Sequence, residues 1–217
     1  MRYCFFILAC LAIVSCRDIQ PFEAELTVKG YQINGTVTTE NGVPLDSVQV
    51  ILYYNYNLMG TTPIDTVQVY LTDLTQVVDV AVYTPRFEFV RQLCLNCLDT
   101  VGPVPRFQWN GRDNSGRMCP SGKYLIRYVI DNVIVKDSPL ILEGRTTAMT
   151  DADGRFTITN DRLPIGEVVD RYDSNDQYLG TFEVTPTVEL LFNKFALYVP
   201  YSLIVTKDRI TTGVFTL

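Results

Sequence analysis

Short runs of β-branched and aromatic residues recur along this chain at roughly ten-residue intervals, the cadence of a many-stranded sandwich. They begin with Ile33–Thr38, Val48–Tyr54, Thr66–Leu71, Val77–Tyr83, Arg86–Leu93, Arg106–Trp109 and Tyr124–Ile130. Later come Ile134–Lys136, Leu140–Leu142, Arg155–Thr159, Gly180–Val184, Thr187–Phe192, Leu197–Val199, Ser202–Val205 and Thr212–Thr216. Asn41-Gly42, Asn114-Ser115-Gly116, Pro120-Ser121-Gly122 and Asp153-Gly154 punctuate them. Several runs alternate polar with apolar, as in Val67-Gln68-Val69, so each strand has one buried face and one wet face. No stretch holds a 3.6-residue period for three turns. The expected fold class is therefore all-β, with sandwich packing.

Composition excludes several chemistries. The chain has 217 residues, no histidine and a formal net charge of −6. Without histidine there is no Ser-His or Cys-His nucleophile pair, and the commonest general base and zinc ligand are missing. The acidic balance argues against nucleic acid, whose phosphates need a clustered positive surface. Carboxylate-only catalysis remains chemically open. However, Asp151, Asp153, Asp170, Asp173 and Asp176 lie in turn-like sequence, and Asp151-x-Asp153-Gly154 lacks the remaining oxygen ligands of a calcium loop. No catalytic residue, metal site or cofactor is expected.

The N-terminus points to export. Arg2 precedes the uncharged apolar run Cys4–Val14, too short for a bilayer span, which needs about 20 residues. Ile13-Val14-Ser15-Cys16 resembles a lipobox, the bacterial motif in which the Cys is acylated and becomes the new N-terminus. The resemblance implies a signal peptide over 1–15, lipidation at Cys16 and a tether over 16–30. Attachment would then be to a membrane of the bacterial cell envelope through several acyl chains, each buried methylene contributing about 0.8 kcal/mol. Arg17, not Asp, follows Cys16, which favours the outer membrane.

Two further resemblances organise the rest. Phe107-Gln108-Trp109-Asn110-Gly111-Arg112-Asp113-Asn114-Ser115-Gly116, then Pro120-Ser121-Gly122-Lys123-Tyr124, is similar to the immunoglobulin-like domain of the flagellar hook-capping protein family. Val80-Ala81-Val82-Tyr83 and Phe89–Leu93 match the preceding strand pair of that family, although Tyr83-Thr84-Pro85-Arg86-Phe87 lacks its usual glycine. Ile33-Asn34-Gly35-Thr36-Val37 and Asn41–Val50 resemble the opening of a carboxypeptidase regulatory-like domain. The next element of that family is matched only at Thr150-Asp151-Ala152-Asp153-Gly154-Arg155-Phe156. This implies a carboxypeptidase regulatory-like sandwich split over 31–57 and 144–217, with a hook-cap-like module nested at 58–143; tandem domains are the alternative. Long insertions in surface loops are tolerated because closure entropy grows only logarithmically.

Cys94, Cys97 and Cys119 follow the leader. In an exported chain the plain expectation is one structural disulfide, from Cys94 or Cys97 to Cys119, and one free thiol. Such a bridge closes a loop of roughly 22 to 25 residues and contributes about 3 kcal/mol. A redox Cys94-x-x-Cys97 would lack the usual helix N-terminus, and a zinc site would need Asp99 or a second chain. Three free thiols are the remaining alternative. Tyr53, Tyr54 and Tyr56 are the candidate ligand aromatics, since alternate positions of a strand share a face. Asp46-Ser47-Val48, Asp65-Thr66-Val67 and Asp99-Thr100-Val101 match an Asp-[Ser/Thr]-aliphatic pattern resembling a bacterial O-glycosylation motif. The leading functional expectation is a non-enzymatic lipoprotein with a structural or protein-interaction role, with envelope or surface proteins as partners. A carbohydrate- or peptide-binding lipoprotein is the alternative, and an envelope thiol oxidoreductase a third.

Overall fold

A computed structural model describes residues 28–54, 67–70, 78–97, 106–130, 132–172 and 178–217. In chain order the strands begin with β1 (Tyr31–Thr38), β2 (Gln49–Tyr54), β3 (Val67–Tyr70), β4 (Val78–Tyr83), β5 (Phe89–Cys97), β6 (Arg106–Trp109), β7 (Gly122–Ile130) and β8 (Val133–Leu142). Then follow β9 (Arg145–Met149), β10 (Arg155–Ile158), β11 (Val168–Tyr172), β12 (Tyr178–Glu183), β13 (Thr187–Lys194), β14 (Leu197–Ile204) and β15 (Arg209–Thr216). The described residues contain one 3-10 turn, Asn160–Arg162, and no α-helix. The protein is an all-β sandwich fold, as the strand cadence predicts.

The strands gather around two cores. Sheet β10-β1-β15 and sheet β14-β13-β2-β9 bury Ile33, Val37, Val50, Leu52, Phe156, Ile158, Val188, Leu190, Phe192 and Phe215 together. Alternation drives this: in β13 only Val188, Leu190 and Phe192 are buried, so one face of the strand is apolar and packed. Sheet β5-β4-β7-β8 and the pair β3-β6 surround a second cluster containing Val80, Val82, Trp109, Tyr124, Ile126, Tyr128, Leu140 and Leu142. Trp109 is fully buried, meets Tyr124 edge-on at 4.9 Å and donates its indole N–H to Arg112 O at 2.8 Å. The polar handle of the ring is thereby satisfied.

Glycines shape the first core. Gly35 faces Gly213 across the parallel β1/β15 pair. A Cβ at Gly35 would lie 2.2 Å from the Phe156 ring, and one at Gly213 2.6 Å from the Phe215 ring. Strand-interior glycine ordinarily weakens a sheet; here the paired absences open a recess that aromatic rings fill. Phe192 sits 4.7 Å from Phe215, and Tyr201 5.1 Å from Phe215.

The chain leaves the first core after Tyr54 and regains it at β8 and β9. Leu140 and Leu142 enter the second core, while Ile141 between them enters the first. Leu52 is in register with Arg145, and Gly144 N donates to Leu52 O at 3.0 Å. Ser121, fully buried, donates its hydroxyl to Leu52 O (2.9 Å) and accepts the N–H of Arg145 (2.9 Å). One side chain from the second group of strands thus clamps departing and returning chain.

Two differences from the sequence expectation share a cause. Ile134–Lys136 and Leu140–Leu142 are one strand, β8, running through Pro139, and Leu197–Val199 and Ser202–Val205 are one strand, β14, running through Pro200. Both strands lie at sheet edges, where proline's missing N–H costs no ladder bond. Strands β9 and β11 were not marked by the cadence; β9 carries small and polar residues along the sheet margin.

Candidate functional site

Cys16 lies outside the described residues. Cys94 on β5 is disulfide-bonded, but Cys119 is a free, buried thiol. The expected bridge to Cys119 is therefore corrected: Cys94 pairs with a cysteine other than Cys119. The reason is packing. Cys119 N donates to Gly111 O at 2.8 Å, which closes the hairpin and sets the thiol in the second core with Trp109 and Tyr124. Burial, chiefly, pushes the Cys119 thiol up, away from the reactive thiolate form. Cys97 ends β5.

The three tyrosines separate. Tyr53 points out of the four-stranded sheet, half-buried, opposite Glu189. Its ring lies over Gly144, where a Cβ would meet it at 3.0 Å. Burial first, then the carboxylates of Glu143 and Glu189, push its phenol up. Tyr54 is corrected from candidate ligand to core residue: it is fully buried and donates its hydroxyl to Arg162 O at 2.7 Å. Strand alternation places it on the inner face as surely as it places Tyr53 on the outer one. Tyr56 lies outside the described residues. Tyr198, exposed and opposite Asn193, shares the outer face with Tyr53; the sequence reading missed it, and the parity of the β13–β14 pairing was the signal.

The acidic turns are self-contained. Asp113 Oδ1 accepts from Ser115 N (2.9 Å), Ser115 Oγ (2.7 Å) and Arg117 N (2.9 Å), and Oδ2 meets Arg117 Nε at 3.1 Å. These bonds, the Ser115 hydroxyl foremost, hold its carboxyl down at about 2. Asp151 Oδ1 accepts from Asp153 N (3.0 Å) and Arg155 N (2.8 Å). Their lone pairs serve turn amides, in the manner of Asx turns. Among the described residues no group of three or more His, Cys, Asp or Glu side chains could hold a metal ion.

One shallow cavity, about 350 Å³, lies at the end of the four-stranded sheet, lined by Asp46, Ser47, Gln49, Asn193, Lys194 and Phe195. Lys194 Nζ meets Asp46 Oδ1 at 3.0 Å and holds that carboxyl below its usual range. Asn193 Nδ2 donates to Gln49 Oε1 at 3.0 Å. These polar groups satisfy one another, and Phe195 at the rim is 93% exposed. Ser47 is exposed, with φ 53° and its hydroxyl 3.3 Å from Asp46 Oδ2; the sites Thr66 and Thr100 of the other two Asp-[Ser/Thr]-aliphatic tripeptides lie outside the described residues. Compared with family models, curated proteins and solved structures, the chain matches none.

Proposed function

We propose that this protein is a non-enzymatic lipoprotein of the bacterial envelope, acylated at Cys16, held at the outer membrane and acting as a structural or protein-interaction module. In this reading the two cores are immunoglobulin-like sandwiches, a hook-cap-like module nested in a carboxypeptidase regulatory-like one. A single observation supports the non-catalytic part: Asp113, Asp151 and Lys194, groups that could do chemistry, are engaged within their own turns and sheet ends. Large apolar side chains such as Phe195, Ile204 and Val214 meanwhile stand in solvent. An arrangement of this kind suits contact better than turnover.

Cys16→Ser tests the anchor. The variant is expected to move from the membrane to the soluble fraction, and retention in the membrane overturns the lipobox reading. In-cell cross-linking of the lipidated chain tests the interaction role: a reproducible set of envelope proteins supports it. A second reading, glycan or peptide binding, is favoured by Tyr53 and Tyr198 on one sheet face, which also carries Glu189, Asn193 and Gln49. Glycan-array binding that disappears in Tyr53→Ala would shift the assignment to it.

A further inference from the structure

Strand β15 closes one side of sheet β10-β1-β15, and among the described residues no further strand pairs with its outer backbone edge. Leu217 N donates to Thr38 O, so the odd-numbered residues of β15 turn their backbone groups toward β1. The even-numbered ones turn theirs outward. Thr216 shows this directly: its N–H and C=O are both engaged by the Tyr201 hydroxyl, at 3.2 and 2.7 Å. Ile210, Thr212 and Val214 present the same groups with no partner among the described residues.

The other edges of the three- and four-stranded sheets are guarded by the usual devices. Pro200 interrupts β14, and β8 carries Pro139 beside Lys136 and Asp137. Strand β5 pairs with β4 through repeated register shifts, and β9 is short and bulged against β2. β10 has four residues. β15, by contrast, keeps an unbroken eight-residue register with β1, has no proline, and its one charged residue is Arg209 at its start. Val214 on its solvent face is 74% exposed.

We infer that β15 is a pairing edge and that its occupant is β15 of a second copy, antiparallel and centred on Thr212. This names one partner for the interaction role proposed above and rests on that reading only for its location. The register is self-complementary. Thr212 faces Thr212, and Ile210 faces Val214 of the other copy, so each facing pair exchanges both backbone bonds. Threonine pairs and β-branched apolar pairs are favourable cross-strand neighbours. Asp208 and Arg209 fall opposite Thr216 and Phe215, so no like charges meet despite the acidic chain. A two-fold pairing also closes on itself and gives a dimer, where a parallel continuation would propagate. Pairing through so short a seam belongs with weak, transient interfaces, and confinement of both copies to one surface raises their effective concentration.

The test is sedimentation of the full-length chain in detergent across a concentration series, where membrane attachment plays no part. A reversible monomer–dimer equilibrium is expected. Thr212→Pro removes a central N–H from each copy and should weaken dimerisation at least about tenfold. Thr212→Lys, a solvent-facing change that leaves the fold intact, should weaken it through two facing ammonium groups. Under diamide oxidation Thr212→Cys should form a covalent dimer, because only the central residue faces itself, about 5.5 Å away between Cα atoms. Val214→Cys should not. Monomers at every concentration, a dimer unchanged by Thr212→Lys, or equal cross-linking of both cysteine variants overturns the inference. A Cys16→Ser chain that stays on the membrane would sink the anchor and leave this result untouched.

Discussion

The turn at Asp113–Arg117 in the second group of strands and the turn at Asp151–Arg155 in the first are made from the same bonds. In each, the aspartate N–H donates to the arginine carbonyl at 2.9 Å, and the glycine N–H donates to the aspartate carbonyl at 3.0 Å. In each, the aspartate Oδ1 takes the amides two and four residues on. Both glycines have positive φ, 85° at Gly116 and 71° at Gly154. Their surroundings differ. A Cβ at Gly116 would meet nothing within 4 Å, whereas one at Gly154 would lie 2.5 Å from Val37 O. Gly154 O also accepts the N–H of Val37 at 2.8 Å, and the neighbouring Thr150 binds Leu45 O and Val48 N. One five-residue code thus serves as a free hairpin end in one place and as a docked corner in the other. The local sequence sets the turn; its tertiary neighbours set what the turn is worth.

Removing the floor beneath the first turn should have the largest effect. Trp109→Ala deletes the ring whose N–H holds Arg112 O and leaves a cavity in the second core, for an expected loss of about 3–5 kcal/mol. Denaturant unfolding followed by circular dichroism measures it, and an unchanged midpoint would take Trp109 out of the core. The glycine pair separates the turns directly. Gly154→Ala suffers both left-handed strain of about 1–2 kcal/mol and displacement of the Val37 carbonyl, so a loss above about 2 kcal/mol is expected. Gly116→Ala should lose only that strain, about 1–2 kcal/mol. Equal shifts in the two thermal unfolding curves would erase the contrast.

The smallest effect concerns pH. The Asp113 carboxyl falls from its ordinary 3.8 to about 2 on folding, so the folded chain binds fewer protons than the unfolded one. That contribution is complete above pH 3.8 and is lost as pH falls through about 2. Asp113→Asn, which keeps the acceptor and removes the charge, should flatten the stability profile in this window. A profile as steep as that of the parent chain would move the acid sensitivity elsewhere.

The turns were readable from sequence because their requirements are local: an aspartate to accept amides, a glycine for positive φ. Strand cadence was readable for the same reason, since alternation reflects one neighbour on each face. Pro139 and Pro200 were misleading, because only sheet order reveals an edge. Tyr54 and Cys119 were misassigned because burial depends on which face a core occupies, and a run of three tyrosines carries no mark of that. Tyr53 stayed outside only by parity. Ser121 was visible as part of a turn motif, but its bonds to Leu52 and Arg145 join residues far apart in sequence, and nothing nearby announces them.

The Ser121 clamp also has a mechanical meaning. Because Leu52 and Arg145 are strand partners, the two points where the chain quits and rejoins the first core lie side by side. A pull applied across the ends of that core falls first on the parallel β1–β15 ladder, and load passed on along the chain crosses from β2 to β9, shunted past everything between. The intervening strands hang off the load path as a side branch, shielded from stretching until the β2–β9 ladder itself shears.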